Sequence, residues 1–124
     1  MSKVVNLTIS KFEWGRVELE DGSQFKDVML APGFCAEWNW KLSRTNHTDG
    51  VQIKDIDTLL SHGIDVLILS RGVNLKLNVL AETYTYALSK VPTILIDQTN
   101  SAVEHYNRMA REGYRIGALI HSTC

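Results

Sequence analysis

Ile64-Asp65-Val66-Leu67-Ile68-Leu69-Ser70-Arg71-Gly72 is the stretch on which the fold turns. Its apolar side chains run on without the strict alternation of a half-solvated strand, the pattern of a strand covered on both faces. Just upstream, Ile53, Ile56, Leu59 and Leu60 share one helical face, and Gly63 stops the helix. A helix followed by a doubly buried strand is a crossover unit, and two more follow. Leu77, Leu80, Tyr84, Ala87 and Leu88 form a second stripe ahead of Pro92, with Thr93-Ile94-Leu95-Ile96 as its strand. The third unit has Asn100 or Ser101 as N-cap, Val103, Tyr106 and Ala110 as buried face, Gly113 as stop and residues 116–120 as strand. Alternating helices and buried strands predict a largely parallel sheet.

Upstream of these units the period shortens to two. Leu7/Ile9 and Val17/Leu19, then Phe25 and Val28, predict a β-meander, with Asp21-Gly22 as its second turn and Trp14-Gly15 as its first. Residues 32–50, which hold Phe34, Cys35, Trp38, Trp40 and His47, show neither period and read as a long irregular loop. The expected fold is therefore α/β: a three-layer single domain over residues 1–124, with a mixed, largely parallel central sheet and an N-terminal β-meander.

Composition narrows the functional classes. The chain of 124 residues is 44% hydrophobic and 22% charged, which suits one ordered globular domain. Thirteen Lys plus Arg against fourteen Asp plus Glu leave a formal charge of -1, so no long-range field draws nucleic acid or anionic lipid. No apolar run approaches the roughly 18 residues of a membrane span. The opening Met1-Ser2-Lys3-Val4-Val5-Asn6 shows no apolar signal core and no Arg-rich presequence, so a cytoplasmic location is expected, with Cys35 and Cys124 as free thiols. Protein partners are expected, nucleic acid and membrane are not, and oligomeric state is left open.

Ligands of parallel sheets gather where strands end. Three segments should meet there: Ser70-Arg71-Gly72-Val73-Asn74, Asp97-Gln98-Thr99-Asn100 and His121-Ser122-Thr123-Cys124. Arg71 is a fixed cation for a carboxylate or phosphate, and Gly72 permits close backbone approach. His121 and Cys124 offer a base beside a thiol, or two metal ligands, against a plain strand end with an inert thiol. The candidate pocket is Trp38, Trp40, Arg71, Gly72, Asn74, His121, Ser122 and Cys124, the tryptophans forming either a lid or a cap on the core. No cofactor loop, metal set or acid-base pair is complete, so no cofactor, metal or catalytic residue is assigned. Asp55, Asp57 and Glu104 read as solvated helix faces.

Val66-Leu67-Ile68-Leu69 with Arg71-Gly72, Trp38-x-Trp40 after Pro32-Gly33, Val103-x-x-Tyr106-Asn107 and Gly117-x-x-x-His121-Ser122-Thr123-Cys124 together resemble the adipogenesis-associated Mth domain-containing protein family. The likeness spans nearly the whole chain. It implies a three-layer α/β fold and a non-enzymatic binding or regulatory role linked to adipocyte differentiation and growth signalling in the cytoplasm. A mitochondrial relative is a respiratory complex I assembly factor, which gives a second role. Ser70-Arg71-Gly72 departs from the Gly-Thr-Gly type of turn in many members, which favours a partner or anion over a shared small ligand. The alternative is a small-molecule or anion binder, or an enzyme, using the Arg71, His121, Cys124 corner.

Overall fold

The computed structural model describes residues 6–124. Met1-Ser2-Lys3-Val4-Val5, on which much of the targeting expectation rests, lies outside them. Alternation near the N-terminus builds a small antiparallel sheet of β1 (Ile9–Glu13), β2 (Arg16–Leu19) and β3 (Gln24–Phe25). Gly22 takes φ 90° in the turn before β3, and the Ser23 amide donates to Asp21 Oδ1 at 2.9 Å, as an Asp-Gly turn requires.

The remaining elements are β4 (Asp27–Ala31), β5 (Phe34–Glu37), α1 (Trp40–Ser43), α2 (Ile53–Leu60), β6 (Val66–Ser70), α3 (Ala81–Lys90), β7 (Thr93–Asp97), α4 (Thr99–Arg111) and β8 (Ile116–His121). Five of them make the central sheet in the order β5-β4-β8-β6-β7. The β8, β6 and β7 strands run parallel, whereas β4 pairs antiparallel with both β5 and β8. The sheet is thus mixed, with the parallel strands on one side only.

Period-two geometry divides the buried strands between two cores. Val28, Leu30, Val66, Ile68, Ile116 and Ile120 face α4 and the small sheet, where Tyr106, Val17 and Leu19 meet them. Met29, Leu67, Leu69 and Leu119 face the opposite way, onto Trp38, Ile56, Leu59, Leu77 and Ala87. Three layers result.

Several expectations change. Residues 32–50 are not one irregular loop: Pro32-Gly33 turns the chain tightly, Gly33 takes φ 68°, and β5 pairs back on β4 with Ala31 opposite Phe34. Within the second stripe, Leu77 is buried but precedes the helix, while Tyr84 and Leu88 of α3 are exposed. The β7 strand forms the sheet edge, so it is not covered on both faces. The N-cap of α4 is Gln98, whose side chain accepts from the Ser101 amide.

Asp55 is not solvated. It lies 2% exposed, and its carboxylate accepts from the Trp38 indole N-H at 3.0 Å, from the Thr45 hydroxyl and from the Gln52 amide at 2.9 Å. One carboxylate therefore ties the start of α2 to the chain on either side of α1.

Candidate functional site

The site begins where β4 and β8 pair, with Asp27 opposite His121. That register places a carboxylate beside an imidazole within the sheet, and Nδ1 of His121 lies 3.0 Å from Asp27 Oδ2. Asp27 Oδ1 also accepts from the Ser122 amide at 2.9 Å, which fixes the carboxylate. The backbone of His121 is held as firmly: its amide donates to Ser70 Oγ at 2.7 Å, and its carbonyl accepts from Thr99 Oγ1 at 2.7 Å. Because a carboxylate accepts, Nδ1 carries a proton, and in the neutral ring Nε2 holds the free lone pair. Thr123 Oγ1 is 3.4 Å from that Nε2.

A short helix delivers the opposite wall. Asn39 caps α1 by accepting from the Lys41 amide at 3.0 Å, and Arg44 closes it in the left-handed region at φ 61°. Trp40 follows the cap, which fixes its backbone at the start of the helix. Its ring centroid lies 4.7 Å from that of His121 and 4.9 Å from that of His47, and the two imidazoles are 5.4 Å apart. Trp40, His47 and His121 thus form one ring cluster in an open cleft of about 530 Å³, with Phe25, Lys26, Asn39, Lys41 and Thr123 among its other lining residues. Among the described residues the buried Trp40 indole N-H has no hydrogen-bond acceptor.

The predicted residues divide between places. Trp40, His121 and Trp38 line the cleft, but Trp38 is 3% exposed and tied to Asp55, a core residue and no lid. Cys124 is half-buried, and its Sγ lies within 4.8 Å of a ring nitrogen of both His47 and His121. Ser122 is buried, its hydroxyl without a partner among the described residues. Gly72 packs on Cys124, and the exposed Asn74 donates its backbone N-H to the Cys124 carbonyl at 2.9 Å.

Arg71 is elsewhere. Its guanidinium donates to the carbonyls of Leu77 at 2.9 Å and Leu75 at 3.0 Å, closing its own loop, and it lines a separate hollow of about 480 Å³ with Thr48, Asp49 and Asn78. The expected corner of Arg71 with His121 and Cys124 does not form. The three strand-end segments do converge: Arg71 N-H reaches Asp97 O, Thr99 N-H reaches Gly72 O, and Val73 N-H reaches Thr123 O. Asp27 and Lys26 carry no sequence signal for the site, and His47 stands in the expected 32–50 loop but outside the expected pocket.

Partial burial, and next to it the neighbouring His121, lower the pKa of His47 from the ordinary imidazole value of 6.5, with Lys26 adding to the effect against an opposing pull from Asp27. The folded state binds this proton less readily than the unfolded chain, so the contribution to stability grows as pH rises through the folded and then the unfolded pKa. An NMR titration of His47 should give a midpoint below 6.5. Lys26→Gln should restore only part of the difference, since burial is the larger cause. A midpoint at or above the free value would show that the ring does not sit against the cleft wall.

A three-layer α/β domain with an aromatic and histidine-lined cleft where β4 meets β8 is the class these features define. The chain belongs to the family described as proteins of unknown function DUF498/DUF598, matched over residues 9–121. Solved structures share the fold. A conserved hypothetical protein from Pyrococcus horikoshii OT3 is 23% identical, with 94% of this chain and 99% of that chain covered and a TM-score of 0.80. A protein described as an outer membrane protein from Bartonella henselae is 18% identical, with 98% of each chain covered and a TM-score of 0.78. A Bordetella pertussis protein described as an Mth938-like domain is 16% identical, with 98% of this chain and 89% of that one covered and a TM-score of 0.68. At such identities the likeness is one of fold. Among the described residues, no helix is long and apolar enough to cross a membrane.

Proposed function

We propose that this domain is a cytoplasmic binding or regulatory protein rather than an enzyme, acting as the adipogenesis-associated Mth domain-containing proteins do in signalling linked to adipocyte differentiation and growth. The observation that carries it is the cleft. Its partly buried Trp40 ring forms an aromatic wall beside His47 and His121, and Lys26 and Lys41 are exposed among its lining residues. Such a surface suits a protein segment that brings carbonyl or carboxylate oxygens to an aromatic wall. Assembly-factor work, as in the complex I relative, would use the same kind of recognition. Arg71, the cation best suited to hold a small anion, is occupied by its own loop, which weakens the anion-site alternative.

A second reading has one observation behind it. Asp27, His121 and Thr123 line the cleft, and the Cys124 thiol lies within 4.8 Å of a His121 ring nitrogen, the arrangement of an oriented base beside a nucleophile. Affinity capture from cell lysate separates the two. The full chain should retain a reproducible set of proteins that Trp40→Ala loses and that Tyr84→Ser, at the opposite sheet edge, keeps. Identical retention by the wild type and Trp40→Ala would refute the binding proposal.

A further inference from the structure

We infer that His47, His121 and Cys124 form a binding site for one borderline-soft divalent cation of the zinc class, with its fourth coordination position open to the cleft. Three donors from two parts of the chain meet here: His47 from the segment after α1, and His121 at the end of β8 with Cys124 three residues beyond it. Their ligand atoms all lie within 4.8 Å of one another. A tetrahedral centre with bonds of about 2.0–2.3 Å holds its ligands roughly 3.4–3.7 Å apart. About 1 Å of closure is needed, and the two outer ligands can supply it. His47 is exposed and Cys124 half-buried, so each can rotate, while His121 is 3% exposed and fixed as the anchor.

Anchoring is what separates this cluster from a chance meeting of side chains. Nδ1 of His121 is engaged by Asp27 at 3.0 Å, and Asp27 is itself held by the Ser122 amide at 2.9 Å. A carboxylate on the far nitrogen of a ligating histidine fixes the tautomer, aims the near nitrogen and raises its basicity, as metal centres commonly require. Cys124 is also positioned: its carbonyl accepts from the amides of Asn74 at 2.9 Å and Lys76 at 3.0 Å, so its Cα cannot wander. Two imidazoles and a thiolate exclude magnesium and calcium, which take oxygen ligands, and suit zinc or its surrogate cobalt. A lone activated thiol needs only one base; a second imidazole near the same point has a use in a ligand set. Binding releases the thiol proton to solvent. The site shares the cleft with the partner-binding proposal but does not rest on it.

Cobalt(II) tests it on the full chain without reference to any activity. After chelation and buffer exchange, one equivalent of Co(II) should produce a thiolate-to-metal charge-transfer band in the near ultraviolet and the visible bands of a four-coordinate ion. Zn(II) should abolish them by competition. Cys124→Ser should remove the charge-transfer band and Cys35→Ser should leave it, while His47→Ala should weaken affinity at least tenfold. Asp27→Asn, which keeps the ligands but loosens the anchor, should weaken it about 10–100-fold. A spectrum without the charge-transfer band, or one that survives Cys124→Ser, overturns the site, as does affinity unchanged in His47→Ala. The site is surface-facing at His47, so that variant reports on binding even if Asp27→Asn unfolds. Loss of protein capture in Trp40→Ala with the cobalt spectrum intact would leave both proposals standing separately.

Discussion

Asp55→Ala should lower the stability of the domain by about 3–5 kcal/mol, the cost of leaving two or more buried donors without an acceptor. For a chain of this size that corresponds to a fall in Tm of about 10–20 °C. The donors are the Trp38 indole and the Thr45 hydroxyl, both on buried residues, and the Gln52 amide at the start of α2. Water has little access to them, because Trp38 and Asp55 are 3% and 2% exposed, although both line a hollow of about 120 Å³. Asp55→Asn should fall between wild type and alanine, since an amide keeps one acceptor oxygen but turns its NH₂ toward a donor. A Tm change below about 3 °C for the alanine variant would show that the three donors find other partners. The indole of Trp38 adjoins Trp40, with ring centroids 5.4 Å apart, so loss of Asp55 should also loosen the cleft wall and reduce Trp40-dependent binding.

Sequence pattern made the covered strands legible because burial on both faces removes alternation, and β6 and β8 are buried at every position; β4, expected as the last strand of the meander, is equally buried and belongs to the central sheet. It could not rank them within the sheet. Residues 93–96 are as apolar as β6, yet β7 lies at the edge, since apolarity says what a strand can bury and not how many neighbours it finds. Phe34-Cys35-Ala36-Glu37 was missed as a strand for the opposite reason: its pattern is weak, and pairing with β4 through the Pro32-Gly33 turn, a tertiary contact, makes it one. Leu77 fits the helical stripe by spacing and is buried, but its backbone N-H bonds to Arg71 O in a turn of the preceding loop.

The site followed the same division. His121 and Cys124 were visible as a polar cluster after a strand, and their convergence with the ends of β6 and β7 follows from parallel topology. Asp27 was not, because the partnership depends on β4 entering the sheet antiparallel beside β8, a crossover no local period encodes. Asp55 failed for the same physical reason: a carboxylate in the first turn of a helix reads as a dipole-favoured surface charge until Trp38 and Thr45 close over it. Gly72 permits close approach as expected, but the backbone that approaches is that of Thr123 and Cys124 rather than a ligand.

Gly72→Ala should be the second most damaging substitution, at about 3 kcal/mol, from the sum of left-handed strain and overpacking. Gly72 has φ +91°, and a β-carbon there would stand 2.2 Å from the Cys124 carbonyl carbon, 2.6 Å from its oxygen and 2.8 Å from the Thr123 oxygen. Those atoms are backbone, and they are pinned by the amides of Val73 at 2.8 Å, Asn74 at 2.9 Å and Lys76 at 3.0 Å, so residues 123–124 cannot step aside without breaking hydrogen bonds. Gly113→Ala separates the two contributions, because Gly113 shares a positive φ of +88° with nothing within 4 Å of its would-be β-carbon. Strain alone should cost that control about 1 kcal/mol. The site should respond as well as the fold. With residues 123–124 displaced, Cys124 should alkylate faster than in the wild type, while Cys35, whose thiol pKa is raised by burial and by Asp21, should not change. Chemical denaturation of both glycine variants and timed alkylation of both thiols give the measurement. If Gly72→Ala matches Gly113→Ala in stability and leaves Cys124 reactivity alone, the seat between residue 72 and residues 123–124 is looser than the geometry requires, and Cys124 is held by other contacts instead.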